Sequence, residues 1–308
     1  MAAEPLTKNP EPGTKTLNSW LLSARPRTLP AAIAPVALGS ALAAHAQHFQ
    51  INPALFCAGF ALCGQIAANF ANDYLDGRRG ADAPGRLGPT RAVSSGLIAP
   101  RAMLLATLLA LGLAAASGLG TLFYGGWELM IIGVASLAGA LAYTPLAYYG
   151  LGEVFALVYF GFVAVLGTYY VETRDWPAPP VAWFAAAACG LLAANILLIN
   201  NIRDRPTDAL AGKRTLAVRF GRRFAQRFYA GNLILVIVIT FLFFFVDWNL
   251  WIIPALATAL PLGIFFIRVL AAIPDGDGPR FNHLLAQSAQ FLALWAALLS
   301  LGIVMSAS

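Results

Sequence analysis

Residues 181–208 read VAWFAAAACGLLAANILLINNIRDRPTD. The first charged residue is Arg203, so twenty-two positions pass without a formal charge before the stretch closes on Asn200, Asn201, Asp204 and Asp208. An apolar run of this length matches the hydrocarbon thickness of a bilayer when wound as an α-helix. Lipid offers the backbone no hydrogen-bond partner, so a helix is the form it must take. The run is therefore predicted to cross a membrane, with its amide and acid side chains placed where lipid gives way to water.

Comparable runs recur at 28–45, 53–74, 102–122, 128–147, 153–171, 225–246, 250–270 and 284–305, which with 181–202 makes nine. The composition agrees: of 308 residues 59% are apolar and 11% charged, and the mean hydropathy is +0.71. These values exclude an ordinary soluble domain. Strand-length alternating segments for a barrel are absent. The expected fold is an all-α membrane protein with nine transmembrane helices in one bundle. Residues 1–19 are expected to form a flexible N-terminal tail and 20–308 a single transmembrane domain. Cys57, Cys63 and Cys189 all lie inside apolar runs without metal-ligand spacing and read as small core residues.

The net charge of +6 is confined to a few loops, and no motif for nucleic acid appears. With nine spans, nineteen of the twenty Lys and Arg residues fall on one face and only Arg174 on the other. That face is predicted to be cytoplasmic, with the N-terminus, and the C-terminus opposite. The chain is expected in a bacterial cytoplasmic membrane. Asn72, Asp76, Arg86 and Arg91 match Asn200, Asp204, Arg214 and Arg219 at a constant offset of 128 residues, which suggests a duplicated four-helix unit.

The chemistry gathers where the second and sixth runs end. Asn72, Asp73 and Asp76 lie three and four residues apart, so a helix sets their oxygens on one face, with Asp82 further on. Asn200, Asn201, Asp204 and Asp208 repeat the theme. Carboxylates beside lipid are costly, roughly 2.5–3.5 kcal/mol each at mid-bilayer, and they repel one another unless a cation intervenes. An all-oxygen donor set favours Mg²⁺ or a similar hard cation. Arg78, Arg79, Arg86, Arg91, Lys213 and Arg214 supply the positive charge that a phosphate-bearing ligand needs. Asn69 can face the same cavity or join two helices. Glu153 can orient an acceptor hydroxyl or act as a base, or compensate the N-terminus of its helix.

Asn72-Asp73-Tyr74-x-Asp76 through Asp82, Arg86-x-Gly88-Pro89-x-Arg91, Asn200-Asn201-x-Arg203-Asp204 through Asp208, and Gly212-Lys213-x-Thr215 are shared motifs. So are Arg25-Pro26-Arg27-Thr28-Leu29-Pro30 and Gly150-Leu151-Gly152-Glu153. On them the sequence resembles the UbiA superfamily of intramembrane aromatic prenyltransferases, and within it the 1,4-dihydroxy-2-naphthoate polyprenyltransferase branch of menaquinone biosynthesis. The resemblance implies two Asp-rich motifs at the cytoplasmic ends of helices two and six of nine. It further implies catalysis by Asp73, Asp76, Asp204 and Asp208, with one Mg²⁺ on Asp73, Asp76 and Asp82 and a second on Asp204 and Asp208. Asn72 and Asn201 would support these ions and Arg91 and Lys213 would bind the diphosphate; Arg86, Asn69 and Glu153 are the further candidate substrate contacts. The reaction implied is transfer of a polyprenyl chain from its diphosphate, lying in membrane lipid, to the naphthoate, with loss of CO2 and release of diphosphate. Asp76 and Asp82 stand six apart, where the 4-hydroxybenzoate branch has four, which favours the naphthoate over 4-hydroxybenzoate; homogentisate is a further acceptor of the same chemistry. A cation-coupled transporter is the reading from another class, but its acids would sit near the bilayer midplane rather than at the basic end.

Overall fold

The computed structural model describes residues 12–78, 87–89, 91–245 and 250–306. Within them the chain is helical, with no strand: α1 Pro12–Ala24, α2 Pro30–His45, α3 Ile51–Arg78, α4 Pro100–Gly125 and α5 Leu129–Ala147 come first. There follow α6 Gly152–Thr173, α7 Pro180–Arg203, the short α8 Arg205–Leu210 and α9 Leu216–Phe220, then α10 Arg222–Phe243, α11 Ile253–Ala272 and α12 Gly278–Met305. Prolines open α2, α4, α7, α11 and α12, where a missing amide costs nothing because the first turn has no acceptor for it.

Seven of these helices, α3, α4, α6, α7, α10, α11 and α12, are long and apolar enough to cross a membrane, and α1 with α2 makes an eighth if that bent pair is one span. The bend, 44°, falls where Arg25 is left-handed (φ 53°) and Pro26 and Pro30 each remove a backbone donor. α5 carries a shorter apolar stretch, Leu129–Ala142. In the segment 1–19 read from sequence as a tail, α1 begins at Pro12 and Ser19 is buried, while residues 1–11 lie outside the described residues.

α7 is the axis of the bundle. Its flank is built from Ala182, Ala185, Ala186, Ala188, Cys189 and Gly190, all buried, and small side chains let neighbouring backbones come close where lipid provides no hydrophobic drive. Gly161 of α6 crosses Gly190 of α7 so closely that a Cβ on either would strike a main-chain carbonyl of the other helix, Ala186 or Leu157. Between α7 and α10 buried amides join an otherwise apolar contact. Asn232 donates to Asn195 Oδ1 (2.8 Å) and Asn195 donates to the Tyr229 carbonyl (3.1 Å). Trp295 of α12, wholly buried, donates to Thr240 Oγ1 at 3.0 Å. Both Cys57 and Cys189 are buried in this interior.

The α6–α7 crossing yields a test. Gly190→Val should lower stability by about 1–3 kcal/mol through overpacking, read as a lower Tm in detergent. Gly231→Ala on α10, where an added methyl meets open space, should leave Tm unchanged or raise it.

Candidate functional site

The C-terminal turns of α3 and α7 bring Asn69, Asn72, Asp73 and Asp76 to one side of a polar region and Asn200, Asn201 and Arg203 to the other. Asp204 joins α7 to α8, which carries Asp208, and Lys213 follows α8. The chain returns to α3 through Arg91 and a tight turn over 92–97.

Asp76 is the centre. Its carboxylate is fully buried and accepts from Arg91 Nη2 at 2.7 Å, Lys213 Nζ at 3.4 Å and Tyr148 Oη at 3.2 Å. Lys213 Nζ also lies 3.4 Å from Asp208 Oδ1, so one ammonium joins acids from the two halves of the chain. It stands 4.9 Å from the centroid of the Tyr148 ring, a cation–π contact. Arg91 Nη1 donates to Asn72 Oδ1 (2.7 Å) and to the Asn72 carbonyl (2.9 Å), and Arg25 Nη2 donates to the same Oδ1 (3.1 Å). Burial pushes the Asp208 carboxyl up to about 6; Lys213 opposes the rise, while the charges of Asp204 and Asp76 add to it.

Other residues singled out from sequence stand apart from this knot. Asp204 pairs with its neighbour Arg203 through two 2.7 Å contacts, and Arg203 Nη1 donates to Asn282 Oδ1 of α12 at 2.5 Å. Asp73 accepts from Ser23 Oγ (2.9 Å) and from the Ala92 and Val93 amides (3.2 Å each). Asn201 donates to Glu153 Oε1 (2.8 Å), and Glu153 Oε2 is buried without a hydrogen-bond partner. Asn69 donates to the Ala24 carbonyl (2.9 Å). Asp82 and Arg86 lie outside the described residues. Among the described residues no three of His, Cys, Asp and Glu gather closely enough to hold a metal ion. Arg91 and Lys213 lie against Asp76, Lys213 also against Asp208, and Arg203 against Asp204, whereas Asp73 is held by a hydroxyl and two amides.

Tyr148 and Arg25 complete the knot, yet sequence reading gave neither a place in it. Tyr148 stands 72 residues from Asp76, beyond any helical spacing rule. Its signals in the sequence are adjacency to the Gly150–Glu153 motif and an aromatic ring that could line a pocket or sit in an interfacial belt.

A cavity of about 290 Å³ opens from this polar end. Arg25, Asn69, Asn72 and Asn200 line its head; Phe60, Leu129, Ile132, Phe160 and Val163 are among the apolar side chains of its body. An apolar pocket with a few convergent polar groups suits a ligand with a polar head and a hydrocarbon tail. α6 is a π-helix over Leu157–Leu166, where it passes this cavity.

Residues 32–295 match the model of the UbiA prenyltransferase family, and the chain belongs to that family of integral membrane enzymes. It is 40% identical over 267 residues to the 1,4-dihydroxy-2-naphthoate octaprenyltransferase of Mycobacterium tuberculosis, covering 85% of this chain and 88% of that protein. It is 39% identical over 222 residues to the Escherichia coli protein of the same name, covering 69% of this chain and 71% of that one. The fold is shared with a UbiA homolog from Aeropyrum pernix K1 (TM-score 0.69, 16% identity, 87% of this chain and 96% of that one). It is shared as well with a UbiA homolog from Archaeoglobus fulgidus solved bound to DMAPP and Mg²⁺ (TM-score 0.64, 15% identity, 92% of this chain and 99% of that one).

The knot predicts its own energetics. Asp76→Ala leaves the Arg91 and Lys213 charges without their shared anion and should cost about 3–5 kcal/mol. Tyr148→Phe removes one neutral donor and should cost about 1 kcal/mol. Unfolding of the metal-free protein in detergent measures both.

Proposed function

We propose that the chain transfers a polyprenyl group from its diphosphate to 1,4-dihydroxy-2-naphthoate, giving demethylmenaquinol, diphosphate and CO2 in menaquinone biosynthesis. The observation that carries this reading is the Asp76–Arg91–Lys213–Asp208 knot, joined through Asn72 to the polar end of an apolar cavity, in a chain whose relatives bear that substrate in their names. Arg91 and Lys213 bind the diphosphate oxygens, a role suited to a fork-shaped guanidinium and a point-charge ammonium. The prenyl chain lies along the apolar body of the cavity and continues into lipid.

The donor chemistry fits Mg²⁺. Asp76, Asp208 and Asp204 offer hard carboxylate oxygens, Asn72 an amide oxygen, and Asp76 and Asp208 already share one cation. Asp76 with Asn72 would hold one ion, joined by Asp82 on the strength of the resemblance, and Asp204 with Asp208 a second. When bound, the ions neutralise the diphosphate as its bond to the allylic carbon breaks. With ions on the acids, Arg91 and Lys213 would be free to turn their donors to the diphosphate. The apolar walls exclude water from the cation, and the dihydroxynaphthalene ring, already electron-rich, is held at the allylic carbon. Asn69, on the cavity wall, and the Glu153–Asn201 pair would contact the acceptor, and Arg86 would add to the charge around the diphosphate on the strength of the resemblance.

The α1–α2 pair and α5 would bring the membrane crossings to nine, with the Asp-rich ends of α3 and α7 as helices two and six at the cytoplasmic face of a bacterial inner membrane. The asymmetry of Lys and Arg supports this orientation. The N-terminus would share that face and the C-terminus lie opposite, with residues 20–308 acting as one domain behind a short tail.

Purified protein given octaprenyl diphosphate and Mg²⁺ with the naphthoate and 4-hydroxybenzoate in competition should form the prenylated naphthoquinol by mass and release diphosphate. Chelation should abolish both. Asp76→Asn and Lys213→Ala should each lower kcat/KM on the order of 10²-fold. A prenylated 4-hydroxybenzoate product would move the acceptor assignment, and no diphosphate release would end the reading.

A further inference from the structure

We infer that Asp73 is a positioning residue that seats Arg91, and is not a holder of metal; this rests on the reading of Arg91 as a diphosphate ligand. Asp73 is buried and lies on the same turn of α3 as Asp76, but its carboxylate is turned to different work. Oδ2 accepts from Ser23 Oγ of α1 (2.9 Å) and from the Ala92 amide (3.2 Å), and Oδ1 accepts from the Val93 amide (3.2 Å). Those two amides begin the turn that Arg91 opens, which closes through Ser95 N to the Arg91 carbonyl (3.1 Å) and Ile98 N to the Ala92 carbonyl (3.0 Å). The first amides of such a turn have no partner within it. Asp73 supplies one from another segment, as a capping side chain does for a helix.

A second observation fixes the same turn. A Cβ on Gly77 would stand 2.8 Å from Val93 Cγ1, so the bare glycine is what lets Val93 lie on the end of α3. Ala92 and Val93 then pack with Phe70, Ile98 and Met103. With residues 92 and 93 held to α3 by charge and by contact, Arg91 leaves the turn beside the end of α3, and its guanidinium meets Asn72 and Asp76.

The repeat that the sequence suggests is consistent with the assignment. At the offset of 128 residues Asp73 corresponds to Asn201, which ties α7 to α6 through Glu153 Oε1 at 2.8 Å. In both halves this position carries a bond between segments, and in one half it carries no charge at all.

The test compares Asp73→Asn, Ser23→Ala and Gly77→Ala with Asp76→Asn, measuring three quantities. Mn²⁺ binding to the protein without substrates is followed by calorimetry, donor KM and kcat by steady-state assay, and exchange of the Ala92 and Val93 amides by hydrogen–deuterium exchange. Asp73→Asn should bind Mn²⁺ within about twofold of the parent protein, raise donor KM about tenfold with a smaller change in kcat, and speed exchange at both amides. Gly77→Ala and Ser23→Ala should shift donor KM the same way without altering a metal ligand, which keeps the inference testable if Asp73→Asn folds poorly. Loss of Mn²⁺ binding in Asp73→Asn to the extent seen in Asp76→Asn would overturn it. So would an unchanged donor KM, or unchanged amide exchange, across the three variants. Failure of the underlying functional reading would appear instead in the parent protein, as no Mn²⁺ binding or no turnover, with the amide-exchange comparison still deciding whether Asp73 seats the turn.

Discussion

One wholly buried carboxylate, that of Asp76, binds three separate stretches of chain. Arg91 comes from the segment after α3, Lys213 from the segment after α8, and Tyr148 from the link between α5 and α6. Taking an acid and two bases out of water is costly, and the attraction between them offsets that cost only where geometry is good and the remaining polar atoms are bonded. The arrangement meets this condition by adding Asn72 to Arg91 and Asp208 to Lys213. Under the proposed function these are also the charges that a diphosphate and its counterions would engage.

The rest of the bundle makes such a knot possible. Small residues along α7 bring α6, α10 and α12 close to it. Buried amides between α7 and α10 fix their relation in a medium where apolar side chains gain little by leaving lipid. α3 and α7 are thereby fixed with their polar ends on the same side, and the space left between α2, α3, α5, α6 and α7 is the apolar cavity. The same packing that places Asp76 and Asp208 around one ammonium leaves this cavity reaching Asn72, to which the knot is bonded.

Much of this was legible from residues alone, because lipid imposes a plain rule. Runs of about twenty apolar residues must be helices, and helical spacing then placed Asn72 and Asp76 together without any knowledge of the fold. The family motifs likewise pointed to Arg91 and Lys213. Partnership across the chain was not legible. Asp73 and Asp76 are both aspartates on one helix turn, and only the path of the 91–97 turn gives one to backbone amides and the other to cations. Tyr148 was hidden for a similar reason, since a hydroxyl reaching 72 positions back leaves no periodic trace. The first crossing was harder to bound because Arg25, Pro26 and Pro30 break it inside its apolar stretch. Asp204 was grouped with Asp208 by motif, while its side chain lies on the adjacent Arg203, a contact between neighbours that motif spacing does not encode.

The most direct measurement is anomalous diffraction from crystals grown with Mn²⁺ and a non-hydrolysable prenyl thiodiphosphate. The account predicts Mn²⁺ density on the Asp76 carboxylate and on the Asp208 carboxylate, with Arg91 and Lys213 turned onto the diphosphate and Asp73 still on the 92 and 93 amides. Ions bound elsewhere, or a diphosphate seated while Arg91 and Lys213 remain on Asp76, would contradict it.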